Sequence, residues 1–429
     1  MADFQPFRAT LYNPQKISWK DVITEPYDKI TPAMQEKYLS RSPYNAVRVV
    51  LGKETTRDSP FNNRYSRANR FYRDWLEEDV LQRMPFAGYY VLEQEFTRDR
   101  RRHRRLALIG RVRLTPFEDG VIRPHERTHE GPKADRLALM QATEAHWEQI
   151  FLLGDFRINL MEHIERQPRK TPYAEFTDDL GVAHRLWEIS LPTSSRDIEE
   201  RFQCKPLYVA DGHHRYETAI AYRNERRLRR AREGADAPFE LCAAAVVFLD
   251  DPGLLILPTH RLVRKSHPFD AATLRANLSK LFQMESVRSL DEMLARMETQ
   301  RGAEHCFGLA FPDGAFHVLR LRSEIDLKPM FQSHPPLWDT LDVSIAHALI
   351  LEPLGVGSEF SAEESLSYHR DPREVIEGLQ QGKGSLGLFL NPTKVEQVQA
   401  VADAGSRMPQ KSTDFFPKLP SGLVIYDMQ

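Results

Sequence analysis

Lys205-Pro206-Leu207-Tyr208-Val209-Ala210-Asp211-Gly212-His213-His214-Arg215-Tyr216-Glu217-Thr218-Ala219-Ile220-Ala221-Tyr222 is an apolar run, a charged turn and a helical pattern in immediate succession. Leu207 to Ala210 suit a short buried strand, and Gly212 permits a tight turn. Tyr216, Ala219 and Ile220 recur at helical spacing, so a helix is expected to begin near His213. The free N–H groups and dipole of such a helix favour an anion over Gly212, and Arg215 adds a planar cation. Asp211 is also placed to cap the helix by accepting from His213 or His214, a role compatible with a ligand.

The same turn, Asp211-Gly212-His213-His214-Arg215-Tyr216, resembles the Gly-x-His-Arg-Tyr turn of sulfiredoxin, of ParB-like proteins and of the archaeal free-serine kinase. That resemblance implies a nucleotide-binding core whose turn holds phosphates. The chain as a whole resembles the family called domain of unknown function 1015. The matching segments include Phe4 to Arg8, Glu25-Pro26-Tyr27-Asp28, Ile122 to Thr128, Asp135-Arg136, Leu257 to Arg261 and Met408 to Thr413. This family resemblance brings a name and no reaction.

With 429 residues, 41% hydrophobic and 28% charged, the chain has enough apolar content for one large core or two smaller ones. Its formal net charge of −2 gives no global attraction for nucleic acid. No run approaches the ~20 apolar residues that span a bilayer, and the N-terminus lacks a signal-peptide pattern, so no membrane partner and a cytoplasmic location are expected. Cys204, Cys242 and Cys306 are widely spaced and suggest neither a disulfide framework nor a thiolate metal site; Cys204 reads as a packing residue.

Strands and helices alternate with hairpins, giving an α+β expectation: a mixed sheet with hairpins around the nucleotide-binding core, plus a second α/β region. Hairpins are expected from 89–96 with 106–114, from 242–249 with 254–257, and from 307–311 with 316–321; helices near 60–83, 133–149, 213–232, 270–282 and 289–300. A boundary near Ser266-His267-Pro268 divides residues 1–266 from 267–429, and the segment 385–426 is a candidate to fold back on the first domain.

His125-Glu126-Arg127-Thr128-His129 matches the zinc-protease pattern His-Glu-x-x-His. That chemistry needs both histidines on one helix, whereas Pro124 and Gly131-Pro132 favour a loop, so no metal ligands are assigned. A loop bearing His125 and Glu126 beside a nucleotide suits acid–base work or magnesium coordination. Asp28 suits the same tasks, or caps a helix beginning near Pro32. His260, Arg261 and Lys411 join Asp211, Gly212, His213, His214 and Arg215 as phosphate-contacting candidates.

Arginines crowd one hairpin tip (Arg98, Arg100, Arg101, Arg102, Arg104, Arg105) and the end of the 213–232 helix (Arg223, Arg226, Arg227, Arg229, Arg230, Arg232). Without interleaved aromatics they read as solvated surface. The leading expectation is a kinase that transfers phosphate between ATP or ADP and a small hydroxylated metabolite such as an amino acid, assisted by Mg2+. The alternatives are a nucleotide-switched ParB-like DNA clamp and a phosphate-ester hydrolase. The acceptor, the nucleotide and the oligomeric state are not specified by the sequence.

Overall fold

The unbroken apolar run from Leu241 to Phe248 forms a strand in which every residue is buried, the pattern of a position with neighbours on both edges. The computed structural model describes residues 2–126, 130–202, 205–229, 234, 236–264, 266, 269–302, 304–356 and 365–429, with the side chains of 130–132 also excluded. Cys204, Arg127, Thr128, His129, Arg230, Arg232, His267 and Pro268 therefore lie outside the described residues.

The fold is mixed α+β, and contacts divide it into two units. The first comprises Met1–Pro124, Thr128–Leu255 and Pro417–Gln429; the second comprises His125–Arg127 and Ile256–Phe416. The sequence placed the division at 266 and the returning segment at 385–426. In the structure the long stretch of the second unit begins at Ile256, and of the 385–426 segment the part from Pro417 groups with the first unit.

The first unit is built on a nine-stranded sheet. Its order runs Ile122–Arg123, Leu207–Asp211, Ile150–Gly154, Leu241–Phe248, Arg101–Arg113, Tyr89–Arg98, Ala183–Ile189 and Ala174–Thr177, with Phe4–Gln5 added against Arg101–Arg113. Leu241–Phe248 runs parallel to Ile150–Gly154 and antiparallel to Arg101–Arg113. Both its edges are thus occupied, so the expected hairpin of 242–249 with 254–257 does not form. The turn at Asp250 to Gly253 is present, but long-range pairing outcompetes the local one.

The 89–98 and 101–113 strands do form a hairpin, with Arg98 opposite Arg101. Asp99 and Arg100 turn the chain at φ 49° and 61°, the positive values that a two-residue loop needs to match strand twist. Helix His213–Arg229 packs on helix Glu130–Thr143. The latter begins ahead of Pro132, because a proline in the first turn removes no hydrogen bond that the helix would make.

The second unit holds a six-stranded antiparallel sheet, ordered Phe282–Val287, Phe316–Leu321, Cys306–Ala310, Gly384–Leu390, His260–Arg264 and Leu366–His369. The expected hairpin of 307–311 with 316–321 lies within it. Helices Leu290–Gln300 and Pro372–Gln380 supply Met293, Met297, Val375 and Leu379 to a core that includes Leu262, Cys306, Val318 and Phe389. Phe389 is fully buried there. Phe389→Ala is expected to destabilise this unit by about 3–5 kcal/mol, read as a lowered midpoint in chemical denaturation.

Candidate functional site

Strand Leu207–Asp211 lies between Ile150–Gly154 and Ile122–Arg123, and its pairing with Ile150–Gly154 shifts register between Val209 and Asp211. Such a bulge re-aims the side chain that follows it. Gly212 has φ +92°, and a Cβ there would stand 3.1 Å from the Arg215 guanidinium. Glycine is therefore required both for the backbone conformation and for the close approach of the cation. The 17-residue helix His213–Arg229 starts at once. His213 is buried and His214 half-buried.

Asp211 organises the turn. Its Oδ2 accepts from Arg215 Nη2 at 2.8 Å and its Oδ1 from Lys418 Nζ at 3.1 Å. Arg215 Nη1 donates to the Gln149 carbonyl at 2.6 Å. The carboxylate thus faces two cations, and Arg215 is braced by Asp211 and the Gln149 carbonyl. Burial pushes the Asp211 carboxyl upward, but Lys418 and then Arg215 more than offset it and hold the group well below the usual carboxylate range. Burial disfavours charge on Arg215, yet Glu148, Asp211 and Asp28 outweigh it and keep the guanidinium charged.

Glu148 forms the second knot of this network. Its Oε1 accepts from the Tyr27 N–H at 3.1 Å and from Ser421 Oγ at 2.8 Å, while Oε2 stands 3.9 Å from Arg136 Nη1. The Arg136 guanidinium lies 3.9 Å from the Tyr27 ring centroid, a cation–π contact. Burial raises the Tyr27 hydroxyl to about 12, partly countered by Arg136. This fixes the 3-10 turn Tyr27–Lys29, leaving Asp28 exposed and Lys29 half-buried. Lys29 contributes to the field at Asp211, and Asp28 to that at Arg215. Asp28 does not cap the following helix: Thr31 does, its side chain accepting from the Met34 N–H at 3.3 Å.

The first unit therefore gathers Asp28 and Asp211 to Arg215 from the expected set, and adds Lys418, Glu148, Gln149, Ser421 and Arg136. Lys418 was missed by the sequence reading. Its signal was a lone lysine between Pro417 and Pro420 in an otherwise apolar run, a placement that costs energy unless the ammonium is paired.

His125, Glu126, His260, Arg261 and Lys411 belong to the second unit. His125 precedes the helix rather than lying on it; its Nε2 meets Thr413 Oγ1 at 3.0 Å, and its carbonyl accepts from the Met408 N–H at 2.7 Å. Glu126 Oε1 accepts from the Lys411 N–H at 2.8 Å, bracing a residue at φ +54°. Arg261 donates to the Thr259 carbonyl and, at 3.4 Å, to that of Lys411. His260 is buried, its Nδ1 accepts from the Leu390 N–H at 3.4 Å, and burial followed by Arg261 lowers it to about 4, so it is neutral at pH 7.

Many of the clustered arginines are committed to acids. Arg102 pairs with Glu95, Arg104 with Glu93, Arg226 with Glu144 and Arg227 with Glu240. Arg105 is fully buried, donating to Gln94 and to the Pro417 carbonyl. These pairings work against phosphate neutralisation by the two runs. Among the described residues no helix is long and apolar enough to cross a membrane.

The family model described as protein of unknown function, DUF1015, matches residues 4–344, and the chain belongs to that family. No curated protein matches. Among solved structures, free serine kinase in complex with AMP aligns at 12% identity and TM-score 0.33, covering 69% of this chain and 84% of that one. A conserved hypothetical protein from Pyrococcus furiosus aligns at 10% and 0.34, covering 70% and 90%. SbnI from Staphylococcus aureus, truncated at its C-terminus, aligns at 12% and 0.34, covering 72% and 84%.

The charge arrangement at Asp211 carries a signed pH expectation. A carboxyl depressed on folding adds stability above its unfolded value of about 3.9, and that stability is lost as pH falls through the lower folded value. Asp211→Asn should cost about 1–3 kcal/mol at pH 7, since it removes the carboxylate that Arg215 and Lys418 share. Urea denaturation of parent and variant between pH 7 and pH 2 should show the gap constant down to about pH 5 and narrowing progressively as pH falls through about 4 towards 2.

Proposed function

We propose that the chain is a nucleotide-dependent phosphotransferase acting on a small hydroxylated metabolite such as an amino acid, with ATP or ADP bound by its phosphates at the Asp211–Arg215 turn. The observation that carries this reading is the placement of Gly212, at φ +92°, between a strand end and the first turn of a long helix, with Arg215 and Lys418 both held on Asp211. Arg215 and Lys418 stand beside the turn as fixed cations, and the helix start adds N–H donors for an anion over Gly212.

Phosphoryl transfer asks for positioning and charge stabilisation more than covalent help. Arg215, braced by Asp211 and Gln149, and Lys418, anchored at its carbonyl by Gln94, supply that charge on rigid supports. The exposed carboxylate of Asp28 is the group we assign to the acceptor proton. Mg2+ would be held chiefly by the nucleotide's phosphate oxygens and by water, leaving the Asp28 carboxylate for the acceptor. Roles in turnover for His125 and Glu126, and phosphate contacts for His260, Arg261 and Lys411, are proposed on their residue chemistry.

Calorimetry with ATP and ADP on parent, Arg215→Ala and Lys418→Ala tests the phosphate site. Each variant should lose about 1.5–3 kcal/mol of binding free energy, the worth of a charged hydrogen-bonding partner. Equal affinities in all three would remove the assignment. Turnover of small hydroxylated metabolites, followed by mass spectrometry, tests the acid: Asp28→Asn should retain nucleotide affinity and lower kcat by roughly 10²–10⁴. Glu126→Gln, assayed alongside it, should lower kcat with nucleotide affinity intact; unchanged kcat would take Glu126 out of the chemistry.

A further inference from the structure

Arg261 is 4% exposed, and burial, slightly countered by Tyr368, lowers it to about 10. Its hydrogen bonds go to two backbone carbonyls, and among the described residues it forms no ion pair with an acid. A buried cation without a counter-charge is costly, and an anion would repay that cost. Arg261 lines a cleft of about 250 Å³ within the second unit, together with Trp338, Tyr368, His334, His347 and Glu352.

The walls of this cleft are aromatic and fixed. Trp338 is 7% exposed and its indole N–H donates to the Arg407 carbonyl at 2.6 Å, which sets the plane of the ring. The His334 ring sits 5.2 Å from that of Trp338, and its Nδ1 is buried with no hydrogen-bond partner. The Arg261 guanidinium lies 5.7 Å from the Tyr368 ring centroid. Glu352 stands 3.6 Å from His347 Nε2.

Backbone features around the cleft also depart from the ordinary. Leu337, just before Trp338, has φ +70°, and Lys411, just after the lining residue Gln410, has φ +54°. Leucine and lysine rarely adopt this region, and such strain gathers at ligand clamps. His347–Leu351 forms a π-helical turn that contributes His347 and Leu351 to the wall, a distortion frequent at functional sites.

We infer that this cleft binds a small planar-ring anion, its ring against Trp338 and Tyr368 and its carboxylate or phosphate on Arg261. The volume suits one or two rings, and the unpaired His334 Nδ1 offers a polar contact to the ring edge. The inference uses none of the residues of the Asp211–Arg215 turn, and it gives Arg261 a ligand of its own in place of the nucleotide-phosphate contact proposed for it above.

Calorimetry on the full chain, with benzoate and indole-3-acetate as carboxylate probes, phenyl phosphate as the ring-borne phosphate, and indole-3-acetamide and phenol as the neutral analogues, tests it. One class of ring anion should bind with a stoichiometry of one. Indole-3-acetamide should bind at least about tenfold more weakly than indole-3-acetate if carboxylates are the class, and phenol at least about tenfold more weakly than phenyl phosphate if phosphates are. Arg261→Gln should weaken the anion by a similar factor. Because a buried arginine also contributes to packing, Val343→Phe provides a second variant that fills the cleft without altering its charge; it should abolish binding with the circular dichroism spectrum unchanged. Equal affinity for charged and neutral probes, parent-like affinity in either variant, or no binding of any ring anion at millimolar concentration would each overturn the inference.

Discussion

The first unit depends on an ionised carboxylate held between two cations. Asp211 meets Arg215 from the next turn of its own chain and Lys418 from the far end of the sequence, so one side chain ties a local motif to the terminal segment. The segment is fixed in turn: Arg105 holds the Pro417 carbonyl, Gln94 the Lys418 carbonyl, and Ser421 reaches Glu148. Glu148 then fixes the Tyr27 turn through its N–H. Removing the charge at Asp211 would take the shared carboxylate from Arg215 and Lys418 and loosen this chain of contacts at its centre.

The local half of this site was legible because strand, glycine and helix follow one another in a single stretch. The non-local half was not. Glu148, Gln149 and Arg136 owe their roles to sheet pairing and helix packing, and no periodicity in the sequence announces which carbonyl Arg215 will reach. Lys418 was the recoverable omission, being a charge in an apolar, proline-bounded run. The same contrast explains the strands: Tyr89–Arg98 and Arg101–Arg113 are neighbours joined by a tight turn, whereas Leu241–Phe248 took both its partners from far earlier in the chain. Thr31 displaced Asp28 as a cap because a threonine immediately before a proline-led helix satisfies the free N–H groups directly.

The second unit shows a different economy. Its expected functional residues are largely engaged with backbone: Glu126 braces Lys411, His260 accepts from Leu390, and Arg261 donates to carbonyls. Two of these contacts hold Lys411, at a positive φ, next to an aromatic cleft. The chain thus carries two chemically distinct clusters, one of paired charges around Asp211 and one of a buried guanidinium among fixed rings.

Hydrogen exchange at the amides of Gly212 to Arg215, measured on the full chain with and without ADP, bears most directly on the central claim. If nucleotide phosphates rest on this turn, ADP should slow exchange of these amides selectively, and adenosine should not. Unchanged exchange at Gly212 to Arg215 under ADP concentrations that saturate binding would contradict the account.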